Sequence, residues 1–480
     1  MRSLPSRLPS HLLRPHLVGI AGSGMSGIAK LLLRRGARVT GSDRDGGSPV
    51  AHALRGLGAD VRTGHAAAHL PADASSVVVS SAIPDDNPEP AHARANGIAV
   101  VHRSDALAAL MTGHRTIAVA GTHGKTTTTS MLATALTALG RDVSYVVGAD
   151  LDAPCSGAHQ GSPDEVFVAE ADESDHSFHA YRPHTAVVLN IEFEHHANYA
   201  SLADVYASFA TFVAGMPPGA RLVVSADHPG AVELTRRARA MPRPPRVLTY
   251  GESPAADVRI LAVRPDPGVP GGGSAVTVRT DGGDVSFSVR VPGAHYAHDA
   301  VAALTAAVAE GVPAADAAPA LAAYTGARRR LEPKGEAGGV RVVDTYAHHP
   351  TEMAADLAAL REATGGRRRL LVAYQPHLYS RTRALGAAMG EALAHADRSL
   401  VLDIYPAREE PVPGVSSRLV LDAARRAGAV ADGVYTLAET PAALARLARP
   451  GDVIVTMGGG DITLAGPEVL RRLHAAAGAR

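Results

Sequence analysis

The stretch AGTHGKTTTTSM, residues 120–131, has the pattern of a phosphate-binding loop. A β-branched run at 116–119 precedes it and predicts a buried strand. An apolar run with helical spacing follows at 132–139 and predicts a helix that stops at Gly140. A glycine turn between a strand and a helix offers backbone N–H groups and the positive end of the helix dipole to an anion. The spacing is one step shorter than the standard motif, because Val119 stands where the first glycine is expected.

Two side chains in this stretch carry the predicted chemistry. Lys125 is expected to reach the β- and γ-phosphates of ATP, and the hydroxyl of Thr126 is expected to bind Mg²⁺. Lysine occurs only at positions 30, 125 and 334, so a lysine kept in the turn suggests that a compact point charge is needed there. The alternative is an ordinary strand-to-helix turn. The residues predicted to contact ATP here are Gly121, Thr122, His123, Gly124, Lys125, Thr126 and Thr127.

Composition restricts the class of protein. A chain of 480 residues with 46% hydrophobic residues predicts two to four packed domains, and its formal net charge of zero does not indicate a nucleic-acid partner. The single cysteine, Cys155, excludes an internal disulfide framework and fits a reducing, cytoplasmic compartment; we interpret it as incidental rather than as a nucleophile. No apolar run reaches the roughly 20 residues of a membrane span. Residues 1–16 are basic and interrupted by prolines, which predicts a disordered leader.

A second glycine turn opens the chain after this leader. Gly22, Gly24 and Gly27 form a Gly-x-Gly-x-x-Gly turn between a predicted strand and helix, and a strand at 38–40 leads to Asp43. Asp43 lies where a ribose-binding acid falls in a dinucleotide-binding βαβ unit. The turn is compatible with NAD, and therefore with a dehydrogenase, or with the pyrophosphate of a UDP-sugar. We predict a small α/β domain that ends near residue 111.

Acidic and polar residues follow two further predicted strands. The strand at 166–169 runs into Glu170, Asp172, Glu173 and Asp175, and the strand at 185–189 ends in the polar segment 190–196. Carboxylates at the carboxyl end of a parallel strand beside a phosphate loop are typical Mg²⁺ ligands or water-positioning groups. The alternative for the first segment is a solvated acidic turn, and for the histidines ordinary surface positions.

The last part of the chain alternates strands and helices, which predicts a doubly wound parallel sheet. Ligands of such sheets bind beyond the carboxyl ends of the strands. Five side chains that follow these strands are therefore expected to face one crevice: Tyr346, His348, His377, Arg381 and Asp461.

Together these motifs resemble the Mur ligase family over nearly the whole chain after residue 16. The resemblance rests on an ordered set of fragments: HLVGIAGSGMSGIA, AGTHGKTTTT, EADESDHSF, NIEFEHH, DTYAHHPTE, YQPHLYSRTR and GDVIVTMGGGDI. It implies an α/β fold with an N-terminal Rossmann-like UDP-binding domain, a central P-loop ATPase domain with a mostly parallel sheet, and a C-terminal Rossmann-like doubly wound domain. The ranges that we assign are 1–16 for the leader, then 17–112, 113–327 and 328–480 for the domains.

The resemblance also implies a reaction: ATP-dependent ligation of L-alanine to the carboxylate of UDP-N-acetylmuramate through an acyl phosphate, in cytoplasmic peptidoglycan precursor synthesis. Lys125, Glu170 and His195 would be catalytic, with Thr126, Glu170 and His195 as Mg²⁺ ligands. ATP would also meet His295, Asp299 and Arg329. Gly22, Gly24, Gly27, Ser42 and Asp43 would bind the UDP-sugar, and Tyr346, His348 and Arg381 would orient the alanine.

Several alternatives stay open at this point. Asp299 replaces a family asparagine, and an ionised carboxylate can only accept hydrogen bonds where an amide can also donate. The residues do not separate alanine from glycine or serine, or a monomer from a homodimer. A recycling ligase that adds a peptide to the same UDP-sugar is the nearest alternative. An NAD-dependent dehydrogenase and a non-catalytic nucleotide sensor are the alternatives from other classes.

Overall fold

The structure is a computed structural model that describes residues 8–151, 156–194, 198–269, 272–407 and 409–478. Cys155 and His195 lie outside the described residues. The described residues form an α/β fold with three sheets in chain order, of five, ten and six strands. The predicted fold class is confirmed.

The first sheet is entirely parallel and has the strand order β3-β2-β1-β4-β5. The order reverses at β1, so the turn after β1 lies at the switch point where such sheets bind ligands. Its elements are β1 (Pro15–Val18), α1 (Ser23–Arg34), β2 (Thr40–Asp43), α2 (Pro49–Gly56), β3 (Asp60–Thr63), β4 (Ser76–Val79), α3 (Pro88–Ala95), β5 (Val100–His102) and α4 (Arg103–Met111).

Two sequence-based expectations about this sheet need correction. Residues 8–16 are not a disordered leader: Leu12 is fully buried, and Pro15 and His16 already belong to β1. The second strand is 40–43 rather than 38–40, because His16 pairs with Thr40 and the ladder continues toward the glycine turn. In both places the pairing with a neighbouring strand determines the boundary, and local propensity does not show it.

The central sheet places the phosphate loop near its middle, in the order β15-β14-β13-β12-β11-β10-β6-β9-β7-β8. Strand β6 is buried along its whole length, as a strand covered on both faces should be. The elements are β6 (Thr116–Ala120), α5 (Lys125–Ala138), β7 (Ser144–Val146), β8 (Ala158–His159), β9 (Phe167–Glu170), β10 (Thr185–Val188), α6 (Leu202–Ala214), β11 (Arg221–Ser225), α7 (Pro229–Arg239), β12 (Arg246–Gly251), β13 (Val258–Pro265), β14 (Ser274–Thr280), β15 (Gly283–Val289), α8 (Ala294–Ala309) and α9 (Ala314–Ala320).

The third sheet has the order β16-β17-β21-β18-β19-β20 and is parallel except for β16. Helix α10 begins with Pro350 and a capping box between His349 and Glu352, which stabilises its first turn. The elements are β16 (Glu332–Ala337), β17 (Val340–Thr345), α10 (Pro350–Ala363), β18 (Leu370–Tyr374), α11 (Tyr379–Ala392), β19 (Arg398–Leu402), α12 (Arg418–Arg426), β20 (Ala431–Tyr435), α13 (Thr440–Leu447), β21 (Val453–Met457) and α14 (Ala465–Gly478).

The chain divides into two compact units. The first comprises residues 1–262, 277–287 and 298–324, and therefore holds the first sheet and the phosphate loop. The second comprises 263–276, 288–297 and 325–480. Across the described ranges, every helix is too short or too polar to cross a membrane.

Candidate active site

The phosphate loop, residues 121–124, needs glycine at two positions. Gly121 has φ +141° and Gly124 has φ +84°, and both values disfavour any residue with a side chain. A Cβ on Gly121 would lie 3.1 Å from the Cβ of Leu189, and one on Gly124 would collide with the carboxylate of Asp299. The loop thus keeps a bare backbone that phosphate oxygens can approach, as the sequence predicted.

Asn190 holds this loop from the neighbouring strand tip. Its Oδ1 accepts a hydrogen bond from the backbone N–H of His123 (2.8 Å), and its Nδ2 donates to the carbonyl of the same residue (3.1 Å). The backbone N–H of Glu192 donates to the Thr122 hydroxyl (2.9 Å). The sequence predicts a polar strand tip here, but the role of Asn190 was not predicted. The signal that could have identified Asn190 is its position just after a buried strand.

Lys125 lies in the first turn of α5 and points back into the loop. Its ammonium donates to the carbonyls of Gly121 (2.5 Å) and Thr122 (3.2 Å), and to the carboxylate of Glu173 (2.9 Å). Burial would lower the pKa of Lys125, but Glu173 and Asp172 outweigh it and raise that pKa to about 12. Lys125 therefore stays charged throughout the physiological range.

Two residues near the phosphate loop carry oxygen donors suited to Mg²⁺. Thr126 is the second residue of α5 and is largely buried. Glu170 ends β9, pairs in register with Val119 of β6, and accepts a hydrogen bond from the N–H of Gly148 (2.7 Å). A hydroxyl and a carboxylate at one edge of the sheet are the hard oxygen ligands that Mg²⁺ prefers, so this donor set fits the ion. The third predicted ligand, His195, lies outside the described residues.

The three other residues assigned to ATP are not found together in one unit. Asp299 lies against Gly124, beside the phosphate loop. His295 belongs to the second unit, where its Nε2 is 3.1 Å from the Asp356 carboxylate. Arg329 also belongs to the second unit, and its role in binding ATP stays a prediction.

The glycine turn of the first sheet has the structure that the sequence predicted. Gly22 caps α1, and a Cβ on Gly27 would lie 3.0 Å from Val146, so this glycine permits close packing. The Oδ2 of Asp43 accepts a hydrogen bond from the N–H of Ala21 (2.9 Å). Asp43 therefore steadies the turn in addition to any contact it makes with a ribose.

The backbone of Ser42 adjoins this turn, because its carbonyl accepts hydrogen bonds from the N–H groups of Gly19 (2.8 Å) and Ile20 (3.0 Å). The Ser42 side chain is fully buried, donates to the Glu89 carboxylate (2.5 Å) and lies 2.9 Å from Nδ1 of His65. The side chain therefore supports the sheet internally, and direct contact of Ser42 with the UDP-sugar stays a prediction. The sequence could not show this internal role because the partner carboxylate lies 47 residues away in the chain.

Arg103 is a candidate binding residue that sequence analysis missed. It begins α4, directly after β5, and its guanidinium occupies the space in front of Gly24, 2.7 Å from where a Cβ would lie. Its Nη2 donates to the Asp172 carboxylate over 2.7 Å. A basic residue at the carboxyl end of a parallel strand was the signal that could have identified it.

In the second unit, four of the predicted crevice residues form one cluster. The rings of Tyr346 and His348 are 5.2 Å apart, and those of His348 and His377 are 6.0 Å apart. An Nη1 of Arg381 lies 3.1 Å from Nδ1 of His377. The cluster offers a planar cation and aromatic walls, which suit a small amino acid with a carboxylate.

Two further predicted residues, Asp461 and Arg329, lie around this cluster. Asp461 accepts a hydrogen bond from Gln375 (2.7 Å) and so braces the strand tip. Arg329 packs its guanidinium 4.8 Å over the ring of Tyr346, donates to the carbonyl of Gly458 (2.5 Å) and lies 3.4 Å from the Asp344 carboxylate. Arg329 therefore orders the edge of the cluster.

Comparison with protein families gives matches along most of the chain. Residues 14–115 match "Mur ligase family, catalytic domain", residues 119–307 match "Mur ligase middle domain", and residues 329–460 match "Mur ligase, glutamate ligase domain".

Curated relatives are similar over almost their full length. A protein of Streptomyces coelicolor is 60% identical over 466 residues, which are 97% of this chain and 99% of the relative. One from Acidothermus cellulolyticus is 47% identical over 96% of this chain and 95% of the relative. Both are named UDP-N-acetylmuramate–L-alanine ligase.

Solved structures share the fold. The UDP-N-acetylmuramate–alanine ligase of Thermotoga maritima matches with a TM-score of 0.80 at 24% identity, covering 96% of this chain and 99% of that one. A murein peptide ligase of Psychrobacter arcticus matches with a TM-score of 0.73 at 24% identity and the same coverage. With three domain matches in order and relatives at 60% identity over the whole length, this chain belongs to the Mur ligase family.

Proposed function

We propose that this protein is the ATP-dependent ligase that joins L-alanine to the carboxylate of UDP-N-acetylmuramate, forming ADP and phosphate. The observation that carries the proposal is the phosphate loop, which holds Lys125 against Glu173 at the sheet edge where Glu170 pairs with Val119, in a chain 60% identical to a relative named for this reaction. We propose the domains 17–112, 113–327 and 328–480, with the first extended to include the β1 residues Pro15 and His16. We also propose a cytoplasmic location, which fits the single cysteine.

The chemical problem is that a carboxylate does not react usefully with an amine in water. In the first step, a carboxylate oxygen of the sugar attacks the γ-phosphorus of ATP, the bond to the bridging oxygen breaks, and ADP leaves. The amine nitrogen of alanine then attacks the acyl carbon. The tetrahedral intermediate collapses to the amide, phosphate leaves with one former carboxylate oxygen, and the amine loses a proton.

The protein supplies charge and position for the first step. Lys125, with its pKa raised to about 12, is a permanent cation that can neutralise the transferring phosphoryl group. Thr126 and Glu170 would hold Mg²⁺, which when bound neutralises phosphate charge and brings two anions together. His195 is proposed as a ligand near the sugar carboxylate. The bare backbone of Gly121 and Gly124 keeps the phosphates close to the start of α5.

The second unit supplies the amine. Arg381 is the best candidate for the carboxylate of alanine, because its guanidinium can donate two parallel hydrogen bonds. Tyr346 and His348 lie in the same cluster and would form its walls. The sequence alternatives of a peptide-adding ligase and a dehydrogenase are not favoured by the named relatives.

The test is phosphate release from ATP in the presence of UDP-N-acetylmuramate and a panel of L-alanine, glycine, L-serine and a tripeptide. We expect release that depends on both substrates and is greatest with L-alanine. Release that is equal without an amino acid, or that requires the tripeptide, would contradict the proposal.

A further inference from the structure

Arg103 lies between the glycine turn and the acidic segment beside the phosphate loop. It is the first residue of α4, and its side chain is 23% exposed. Its Nη1 lies in front of Gly24, and its Nη2 donates to Oδ2 of Asp172. One guanidinium thus contacts both the glycine turn and the acidic segment that pairs with Lys125.

Asp172 extends this contact to the ATP site. It follows Glu170 by two residues, and its Oδ1 accepts a hydrogen bond from the N–H of Ser174 (3.1 Å). The next residue, Glu173, lies 2.9 Å from Nζ of Lys125, so the two cations are held by consecutive carboxylates of one acidic segment. Because these charges are close together, a change in the partners of either cation alters the electrostatic field at the other.

The residue type suits a shared contact. A guanidinium is a planar fork with five N–H donors, so it can hold a carboxylate on one edge and a phosphate on another. The second glycine of such a turn is where a pyrophosphate approaches the backbone most closely. Arg103 already points its second nitrogen at that position.

We propose that Arg103 is a positioning residue that couples the binding of the UDP-sugar at Gly24 to the binding of ATP at Lys125, through Asp172. The inference rests on the proposed function. When ATP phosphates share the charge of Lys125, Arg103 becomes the main cation that neutralises the acidic pair Asp172 and Glu173. The guanidinium is then fixed over Gly24, where it meets the pyrophosphate. Coupling is therefore positive, and each ligand strengthens the other by the same factor.

The test is isothermal titration of wild-type protein with UDP-N-acetylmuramate, with and without a saturating non-hydrolysable ATP analogue and Mg²⁺. We expect the Kd for the UDP-sugar to fall about fivefold or more when the analogue is present. In Arg103→Ala and in Asp172→Asn the ratio of the two Kd values should fall close to one. The double variant should show no further loss, since both residues act in one link.

Two further variants make the result decisive. Arg103→Lys keeps the charge but not the fork, so most of the coupling should be lost although the protein stays folded. Arg35→Ala is the control: it removes a contact of α1 with Gln160 (2.6 Å) in the same unit, without touching Gly24 or Asp172. Its Kd ratio should equal that of wild type.

Three outcomes would overturn the inference: a wild-type ratio of one, an unchanged ratio in Arg103→Ala and Asp172→Asn, or an equal loss in Arg35→Ala. Failure of the proposed function would appear differently. In that case wild-type protein would not bind UDP-N-acetylmuramate, or would release no alanine-dependent phosphate.

Discussion

A lysine ammonium buried among carbonyls and carboxylates is stable here because its partners are already in place. Lys125 has Glu173 at 2.9 Å, and Glu173 is itself almost fully buried. In the proposed reaction, Lys125 would leave this pair and contact the phosphate oxygens of ATP instead. At the scale of single residues, catalysis and stability therefore share one charge.

Replacing Lys125 tests whether this one charge contributes to both activity and stability. Lys125→Ala should lower phosphate release by about 10² or more, since loss of a transition-state contact of this kind costs about 3 kcal/mol. Circular dichroism should show a folded protein with a lower Tm, because Glu173 loses its partner. Adding Glu173→Gln should recover Tm but not activity. Lys30→Ala, which removes a lysine outside the site, is the control; turnover of Lys125→Ala within threefold of that control would exclude the role.

Glu89 gives a pH prediction at the same scale. Its carboxylate is fully buried, accepts from Ser42 (2.5 Å) and lies 3.5 Å from Nε2 of His16. Burial would raise the pKa of Glu89, but His16 and Ser42 outweigh it and lower that pKa to about 2. Because the folded-state pKa is below the ordinary value of 4.5, the group stabilises the fold above that pH. This contribution, of the order of 3 kcal/mol, is lost as the pH falls toward 2.

The measurement is the free energy of unfolding of Glu89→Gln between pH 7 and pH 2.5. The variant should be less stable than wild type at pH 7 and should lose less stability on acidification. The exposed Glu362→Gln serves as the control and should follow wild type. If the free energy of unfolding fell equally with pH in wild type and in Glu89→Gln, the low pKa of Glu89 would not be the source of the acid sensitivity.

At the scale of elements, the loops at the strand tips carry the site and neighbouring strands hold them. Asn190→Ala removes two hydrogen bonds to the backbone of His123 (2.8 and 3.1 Å). At about 1 kcal/mol each, their loss should raise the KM for ATP about tenfold or more and leave the KM for UDP-N-acetylmuramate nearly unchanged. Asn96→Ala, on the exposed end of α3, is the matched control. Equal KM values for ATP in both variants would show that Asn190 does not contribute to ATP binding.

For a substitution in the glycine turn we expect the opposite result: weaker binding of the UDP-sugar and unchanged binding of ATP. A side chain at Gly24 meets the Arg103 guanidinium and fills the approach to the turn. Gly24→Val should therefore raise the KM for UDP-N-acetylmuramate strongly, while the Kd for ATP alone stays near that of wild type. The control is Gly56→Ala, because a Cβ at Gly56 meets nothing within 4 Å. A parallel loss of ATP affinity in Gly24→Val would show that the two sites are one.

Elements with strong periodicity were predictable, and elements made by pairing were not. The continuous apolar run at 370–374 is typical of a buried strand, and β18 has these bounds. Strand β16 contains Pro333 and Gly335, which are typical of a turn. It forms a strand because it pairs with β17. Strand β20 has little apolar pattern and forms because β19 offers it an edge.

Across the whole molecule, site residues in local motifs were predicted, and site residues that depend on contacts between distant segments were not. The phosphate loop and the C-terminal cluster follow local motifs, so sequence analysis identified them. Arg103 depends on Asp172, 69 residues away, and Ser42 depends on a buried carboxylate from α3. Such contacts exist only after the sheets have formed, and no local pattern encodes them.

We propose that ATP activates the sugar carboxylate before alanine attacks. The most direct measurement is mass spectrometry of the phosphate released when UDP-N-acetylmuramate carries ¹⁸O in its lactyl carboxylate, with ATP and L-alanine present. The acyl-phosphate route predicts one ¹⁸O atom in each phosphate molecule, because that oxygen leaves with the phosphoryl group. If the amide formed and the phosphate carried no ¹⁸O, the reaction would not pass through an acyl phosphate.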